Sequence, residues 1–509
     1  MPGFAEAKKV GRIEKSSKNA KYGLLCQGVY IAMAFFVRFA MIRCLGLTAV
    51  SLNGLFTQVL GILALSEMGV GLAASYHLYR PLAEGDRGRV SGVMRLLRNA
   101  YYGIAIFILF AGLCLMPFLT KLVKGVDVPV PYLRLVFGMF ILQTAVSYIG
   151  SYKTILLSAD QNAYITSKIS MILRTACSVV EIACLVLMRN FLLYLVLEIA
   201  YQAAFNIAIT RTADGMYPYL DAGKALTREE KGGIFLDIRR IFVGRVSNKI
   251  LNSTDNILVS VLVGTSSVGV YSQYSMFANG FLRLFAALNE SMVGSVGNVI
   301  ASETGRRTEE TYRHAAFLFF AAALVTGGCF CGGISPFLRF AAGEEYVMAE
   351  GTVYIVALNL VFEILKMPLW TYYSAAGMFE SDQAASAAGC ALNIVSSILF
   401  GKKWGMTGIF LGTFLSLLAM YVWKLFLFHR KFGGRAGTEA WYVPVSAAVL
   451  AACGKVTVAT GQSLLDAILR AGICGVIAVL SLAVLFGRTE EAAYCLGLLG
   501  RFRKEKRRK

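Results

Sequence analysis

The sequence predicts an all-α polytopic membrane protein of about fourteen transmembrane helices: two six-helix lobes in a parallel pseudo-twofold repeat, then two further C-terminal helices. Three observations predict it. Of 509 residues, 57% are hydrophobic and only 16% charged, with a mean hydropathy of +0.62. The apolar content recurs in blocks of roughly twenty residues, the length a helix needs to cross a ~30 Å hydrocarbon layer with every backbone group paired. The chain also matches itself at a lag of about 218 residues. An outer-membrane barrel would show ~10-residue segments of alternating polarity, and none occur.

The spans centre near residues 34, 65, 108, 145, 177, 201, 252, 283, 326, 360, 392, 417, 449 and 476. Loops from odd to even spans carry few positive charges: "LGLTAV", "VGTSSV" and "TGQS" have none. Loops from even to odd spans are basic, with Arg80, Arg87, Arg89, Arg95 and Arg98 in the first and Arg211, Lys224, Arg228, Lys231, Arg239 and Arg240 in the middle one. The positive-inside rule then places both termini in the cytoplasm, with "GKKWGM" (Lys402, Lys403) as an exception. A formal net charge of +20 would suggest nucleic acid in a soluble chain. Here the charge is distributed over alternate loops, no stretch of soluble length offers a basic-aromatic platform, and no nucleic-acid partner is expected.

Three anchors carry the repeat. "LGLTAVSLNGLF" from Leu45 parallels "VGTSSVGVYSQY" from Val263, "YKTILLSADQNAY" from Tyr152 parallels "YYSAAGMFESDQA" from Tyr372, and "RNFLLYLVLEI" from Arg189 parallels "GMTGIFLGTFL" from Gly405. The lag covers six spans, so the halves run in the same sense, an arrangement suited to two lobes rocking about a site at their interface. The expected organisation is a cytoplasmic tail at 1–22, an N-lobe at 23–212 (spans 1 to 6) and a cytoplasmic linker at 213–232. A C-lobe at 233–432 (spans 7 to 12), spans 13 and 14 at 441–487 outside the lobes, and a basic cytoplasmic tail at 488–509 complete it. The first apolar segment is too long for a signal h-region and lacks a small-residue cleavage site, so the N-terminal tail is expected to stay on. The C-terminal tail reads as an orientation signal that contacts anionic membrane lipids.

Eleven cysteines are scattered singly, and "GGCFCGG" around Cys329 and Cys331 has neither a partner pair nor a nearby histidine. They read as small, soft packing residues, with no metal and no cofactor expected. His77, His314 and His429 share no spacing.

Charges within spans are costly and call for a partner or a wet cavity. Span 7 is richest: Arg245, Lys249, Asn252 and Asn256 follow an i, i+4, i+7, i+11 stripe that Asn248, Ser253 and Asp255 widen. It reads as the wall of a hydrated central cavity. Span 1 repeats the pattern faintly, since Gln27 and Arg38 fall on Arg245 and Asn256 at the 218 lag. Further candidates are Glu67 in span 2, Arg174 and Glu181 in span 5, Glu198, Gln202 and Asn206 in span 6, and Arg283 and Glu290 in span 8, with Glu363 and Lys366 placed to pair in span 10. For any one of these, interhelical hydrogen bonding is as good a reading as function. Positive charge exceeds negative around Arg38, Arg245 and Lys249, which points to an anionic cargo. The expected cargo-binding residues are Arg38, Arg245, Lys249, Arg283, Asn252 and Asn256. Asp255, Glu67 and Glu290 are expected to be structural or to carry a coupling H⁺ or Na⁺.

The runs "LNSTDNILVSVLVGTSSVGVYSQYSMF" and "GLTAVSLNGLFTQVLGILALSEMGVGLAASYHLYRPLAEGD" resemble the Wzx-like polysaccharide-biosynthesis flippases of the multidrug/oligosaccharidyl-lipid/polysaccharide (MOP) exporter superfamily, over roughly residues 15 to 435. The resemblance implies a MATE-like fold in a bacterial cytoplasmic membrane. It implies translocation of an undecaprenyl-diphosphate-linked oligosaccharide from the cytoplasmic to the outer leaflet by alternating access, without enzymatic chemistry. The polyprenyl-diphosphate glycolipid, membrane lipids and a polysaccharide polymerase or glycosyltransferases are the implied partners. Related lipid II flippases carry arginines on spans 1 and 7, similar in kind to Arg38, Arg245 and Lys249, and likewise have fourteen spans. Alternatives are a lipid II-type peptidoglycan precursor flippase and a MATE-type multidrug or cation antiporter. An integral-membrane polymerase or ligase would need a large outward loop with a catalytic grouping, and the longest here is about a dozen residues.

Overall fold

A computed structural model describes the backbone of residues 2–67, 70–124, 127–220, 226–302, 305–376, 378–432, 437–495 and 497. Side chains are described from residue 25 onward, except at 65–66, 72, 237, 239–253, 291, 293–295, 297–298, 301–302, 305, 374 and 379–383. Among these residues there are helices and turns but no strand. Contacts divide the chain into two compact units, residues 1–253 and 254–509.

The first unit runs through α1 (Pro2–Leu63), α2 (Val70–Glu84), α3 (Arg87–Leu115), α4 (Leu119–Leu122), α5 (Val130–Ala159), α6 (Ala163–Met188), α7 (Phe191–Met216) and most of α8 (Arg228–Leu262). The second continues with α9 (Thr265–Ser302), α10 (Gly305–Ala341), α11 (Glu350–Ala375), α12 (Phe379–Phe432), α13 (Tyr442–Gly454) and α14 (Ser463–Phe486). Nine helical stretches among the described residues are long and apolar enough to cross a membrane. Two of these are hairpins.

In α1, Gly46 takes φ 75° and ψ −175°, and Asn53 Nδ2 comes within 3.6 Å of Met41 Sδ. Twelve residues along a straight helix would separate them by roughly 18 Å, so the chain folds back at the glycine. In α12, Gly405 at φ 60° does the same, and Ser397 Oγ donates to Ile409 O at 3.0 Å while Ser396 Oγ donates to Gly412 O at 3.2 Å. Gly412 lets the limbs touch: a Cβ there would stand 2.5 Å from Ser397 N. The turn is marked by exposed Lys402, Lys403 and Trp404, with the Lys403 ammonium 5.1 Å above the indole. An amphipathic pair of this kind suits a membrane interface.

The repeat seen in the sequence recurs in backbone detail. Gly46 and Gly264 both have positive φ, 75° and 140°, as do Arg189 and Gly405, 48° and 60°. At the end of α5, Asp160 N donates to Leu156 O (2.9 Å) and Asn162 N to Leu157 O (2.7 Å). The same two bonds, Ala376 N to Tyr372 O and Met378 N to Tyr373 O, both 2.9 Å, close α11 216 residues later.

Expected span 2 differs in one respect. Its centre near residue 65 falls where the second limb of α1 gives way to a 3₁₀ turn, Ala64–Glu67, ahead of α2. α8 opens on a reciprocal cap, with Thr227 N donating to Glu230 Oε2 (3.0 Å) and Glu230 N to Thr227 Oγ1 (3.2 Å). These bonds hold the Glu230 carboxyl below its ordinary range.

The supplementary helices dock on α10 through the "GGCFCGG" run. A Cβ at Gly332 would lie 2.5 Å from Cys474 Sγ and 3.1 Å from Arg470 O, and one at Gly333 2.9 Å from Ala471 Cβ. Cys331 and Cys453 are buried beside them. Small residues substitute here for a hydrophobic drive, which lipid does not provide between helices.

Overpacking at these contacts costs about 1–3 kcal/mol. Gly412→Val and Gly332→Val are therefore expected to lower the thermal unfolding midpoint of the detergent-solubilised protein by several degrees. Gly454→Ala, with open space around it, is the control expected to unfold at the parental temperature.

Candidate functional site

Two buried polar groupings stand out, one per unit. In the first unit, Arg174 and Glu181 lie two turns apart on one face of α6, with Cys177 and Ser178 between them. α7 starts at Asn190, whose side chain accepts from Leu192 N (2.9 Å) and Leu193 N (3.2 Å); this register turns Tyr194 and Glu198 toward α6. Arg174 then joins Glu198 Oε1 at 2.9 Å and Glu181 Oε2 at 3.2 Å. Glu198 also accepts from Tyr194 Oη (3.2 Å) and from Gln143 Nε2 of α5 (3.2 Å), while Cys177 Sγ reaches Glu181 Oε1 at 3.3 Å. The Tyr201 ring lies 5.2 Å beneath the guanidinium. Arg38, half-buried on the first limb of α1, is close enough to act electrostatically on Tyr194.

In the second unit, Asp255 of α8 is buried and accepts from Thr413 Oγ1, at 3.0 Å to Oδ1 and 3.2 Å to Oδ2. Thr413 sits on the second limb of α12, and its hydroxyl in turn accepts from Asn393 Nδ2 of the first limb at 3.0 Å. Tyr271 of α9 and Glu363 of α11 face the same carboxylate electrostatically. Glu363 is paired with Lys366 at 2.6 Å, as their spacing predicts. Asn256 is buried with its Oδ1 unpartnered. The grouping offers a buried acid, a hydroxyl and two amides, a donor set suited to H⁺ or a small cation.

The remaining predicted residues are dispersed. Glu67, in the 3₁₀ turn, accepts from Tyr101 Oη at 2.9 Å. Arg283 and Glu290 are exposed on one face of α9. Arg245, Lys249 and Asn252 lie on α8 outside the residues whose side chains are described. No group of three or more His, Cys, Asp or Glu among the described residues is placed to hold a metal ion.

Sequence reasoning missed the setting of His429. It is buried, with Glu309 Oε1 3.7 Å from Nδ1, and Arg313 bridges Glu309 (2.6 Å) and Glu439 (3.8 Å). The i, i+4 spacing of Glu309 and Arg313 is a local signal for their pair. Nothing local connects either to His429 or Glu439.

Arg174 is the one cation described within the first grouping, and removing it leaves two buried carboxylates facing each other. Breaking a buried pair this way costs roughly 3–5 kcal/mol. Arg174→Leu is expected to unfold well below the parental temperature in a detergent melt, and adding Glu181→Gln with Glu198→Gln to recover part of the loss.

No protein-family model matches the chain, and no curated protein matches it in sequence. Solved structures do match it. An inward-facing multidrug-resistance MATE family transporter of the MOP superfamily superposes with a TM-score of 0.63 at 14% identity, over 80% of this chain and 96% of its own. The lipid II flippase MurJ, in an inward closed conformation, gives 0.60 at 15% identity, over 89% of this chain and 98% of its own. A MOP superfamily transporter from Pyrococcus furiosus, described as having a binding pocket of reverse polarity, gives 0.53 at 15%, over 82% and 96%. The likeness at these identities is one of architecture: the chain has the all-helical membrane fold of the MOP transporters.

Proposed function

We propose that this chain is a flippase of the MOP superfamily, and not an enzyme. In this reading it moves an undecaprenyl-diphosphate-linked oligosaccharide from the cytoplasmic to the outer leaflet of a bacterial cytoplasmic membrane by alternating access, with both termini in the cytoplasm. The observation that carries the reading is the breadth of the fold likeness together with the sign of the span charges. The match to the lipid II flippase takes in 89% of this chain, against 80% for the MATE transporter quoted above. Positive charge exceeds negative in the sequence around Arg38, Arg245 and Lys249, and guanidinium and ammonium groups give charge-assisted hydrogen bonds to a diphosphate. A cation antiporter would call for the opposite balance. A lipid II-type cargo carries the same diphosphate and remains the second reading, supported by the same likeness. Asp255 is assigned the coupling cation, H⁺ or Na⁺, with Thr413 and Asn393 as its neighbours.

Losing one charge-assisted contact to the diphosphate costs about 1.5–3 kcal/mol, roughly tenfold or more in affinity. Arg38→Ala, Arg245→Ala and Lys249→Ala are each expected to reduce glycolipid translocation by the purified protein in liposomes to that extent. Three variants with parental rates would sink the cation assignment. Asp255→Asn is expected to retain binding of a prenyl diphosphate but to lose any dependence of transport on an imposed H⁺ or Na⁺ gradient. An unchanged gradient response in that variant would overturn the coupling role.

A further inference from the structure

The last turn of α12 buries His429 where four segments of the second unit meet. The start of α10 supplies Glu309 and Arg313, which pair at 2.6 Å. The 3₁₀ turn Thr438–Trp441 ahead of α13 supplies Glu439, fully buried, with Oε1 3.8 Å from Arg313 Nε and Oε2 accepting from Gly437 N at 3.0 Å. The guanidinium is pressed against this turn, since a Cβ at Gly437 would stand 3.1 Å from Arg313 Cζ. The segment that follows α14 joins through two contacts: Thr438 Oγ1 donates to Glu491 Oε1 at 3.1 Å, and the Tyr494 ring stacks on His314 of α10 at 4.0 Å.

Within this joint neither nitrogen of His429 has a hydrogen-bond partner among the described residues. The Glu309 carboxylate is 3.7 Å from Nδ1, beyond hydrogen-bond reach, and is already engaged by Arg313. The charged groups that face the ring are therefore Glu309 and Arg313 from α10 and Glu439 from the turn. Tyr312 of α10 and Tyr372 of α11 pack on the neighbouring Phe428 instead, at 4.4 and 5.8 Å between centroids. Arg430 and Lys431, next on α12, are exposed, and Lys431 donates to Ala376 O at 3.0 Å. A charge is tolerated in such a place only with hydrogen bonds and an available counter-ion. Both carboxylates here are committed to one guanidinium, which would repel a second cation. The closed joint therefore suits the neutral imidazole, and the imidazolium suits a ring that has reached water.

We propose that His429 is a proton-operated catch on this joint: closed, the joint holds the ring neutral, and protonation favours the state in which the end of α12, the start of α10 and the turn before α13 have separated. The proton comes from water and bonds to a ring nitrogen; no other covalent bond changes. Acid favours whichever state binds more protons. The closed joint thus keeps its full stability above the ordinary histidine value of about 6.5 and loses it progressively as the pH falls below. The α8-to-α14 topology expected from the basic loops puts this end on the cytoplasmic side, so that the catch would let cytoplasmic pH set how firmly the lead-in to α13 and α14 is held. The proposal is independent of the cargo and of Asp255.

The test is amide hydrogen exchange of the purified full-length protein between about pH 8 and about pH 5.5, corrected for the intrinsic pH dependence of exchange and read on peptides covering 305–315 and 437–442. In the wild type, protection of these peptides is expected to fall below about pH 6.5 by up to tenfold per unit, the slope that one proton gives. In His429→Gln it is expected to stay level. Nitrogen NMR of histidine-labelled wild type gives a second readout that needs no folded variant, because His77 and His314 are the other two histidines and their own substitutions identify the His429 signal. The His429 ring is expected to stay neutral for as long as the peptides stay protected. An equal pH response in His429→Gln, or an imidazolium signal from His429 with protection undiminished, would overturn the proposal and leave the flippase reading untouched.

Discussion

Hydrocarbon offers no hydrogen bonds, so each backbone amide and carbonyl in a span must be satisfied by the chain itself, and most features of this molecule follow from that demand. Helices meet it along their length, but the chain must reverse direction many times. Gly46 and Gly405 reverse it with a single residue at positive φ, so that helical hydrogen bonding is interrupted for the shortest stretch. The limbs of such a hairpin then lie in contact from the turn onward, and only small or hydrogen-bonding residues fit between them. Gly412 and Ser397 at the α12 turn are the consequence, as is the Ser396 hydroxyl folded onto Gly412 O.

Side chains answer to the same demand. A charge in a span is retained only where the fold brings its partners, and the two units do so differently. The first builds a network in which one guanidinium serves two carboxylates and an amide and a phenol complete the second of them. The second surrounds Asp255 with a hydroxyl that is itself held by an amide. Where α13 and α14 dock on α10 at the "GGCFCGG" run, glycine, alanine and cysteine bring the helices close enough for dispersion to hold them.

Which parts of this were legible in the sequence depended on whether the signal was local. The hairpin turns were: "LGLTAV" and "GKKWGM" each put a glycine between apolar stretches of spanning length. Their recurrence at a lag of about 218 residues was readable because turn residues must satisfy φ as well as polarity. The i, i+3 pair of Glu363 and Lys366 was readable for the same reason. Partners from different helices were not. Arg174 and Glu198 are 24 residues apart, and Asp255 and Thr413 are 158, so periodicity marks each residue as polar without saying what it meets. The "GGCFCGG" run read as packing, and its partners Cys474, Ala471 and Arg470 on α14 emerge only from the fold.

The three acids named for ion coupling can be ranked by their surroundings. Glu67 accepts from the Tyr101 phenol in a break between helices, a setting that helps satisfy the carboxylate. Glu290 is exposed on α9. Asp255 is buried, and the donor bound to it is a hydroxyl, which disperses little of a full negative charge. Lys366, on the helix facing it, is held by Glu363 at 2.6 Å, and Glu363 itself repels a second carboxylate. A carboxyl so placed is stabilised in its ionised form by a cation that joins it and in its neutral form by a proton. Of the three acids, Asp255 is therefore the one whose surroundings best support the coupling role proposed above.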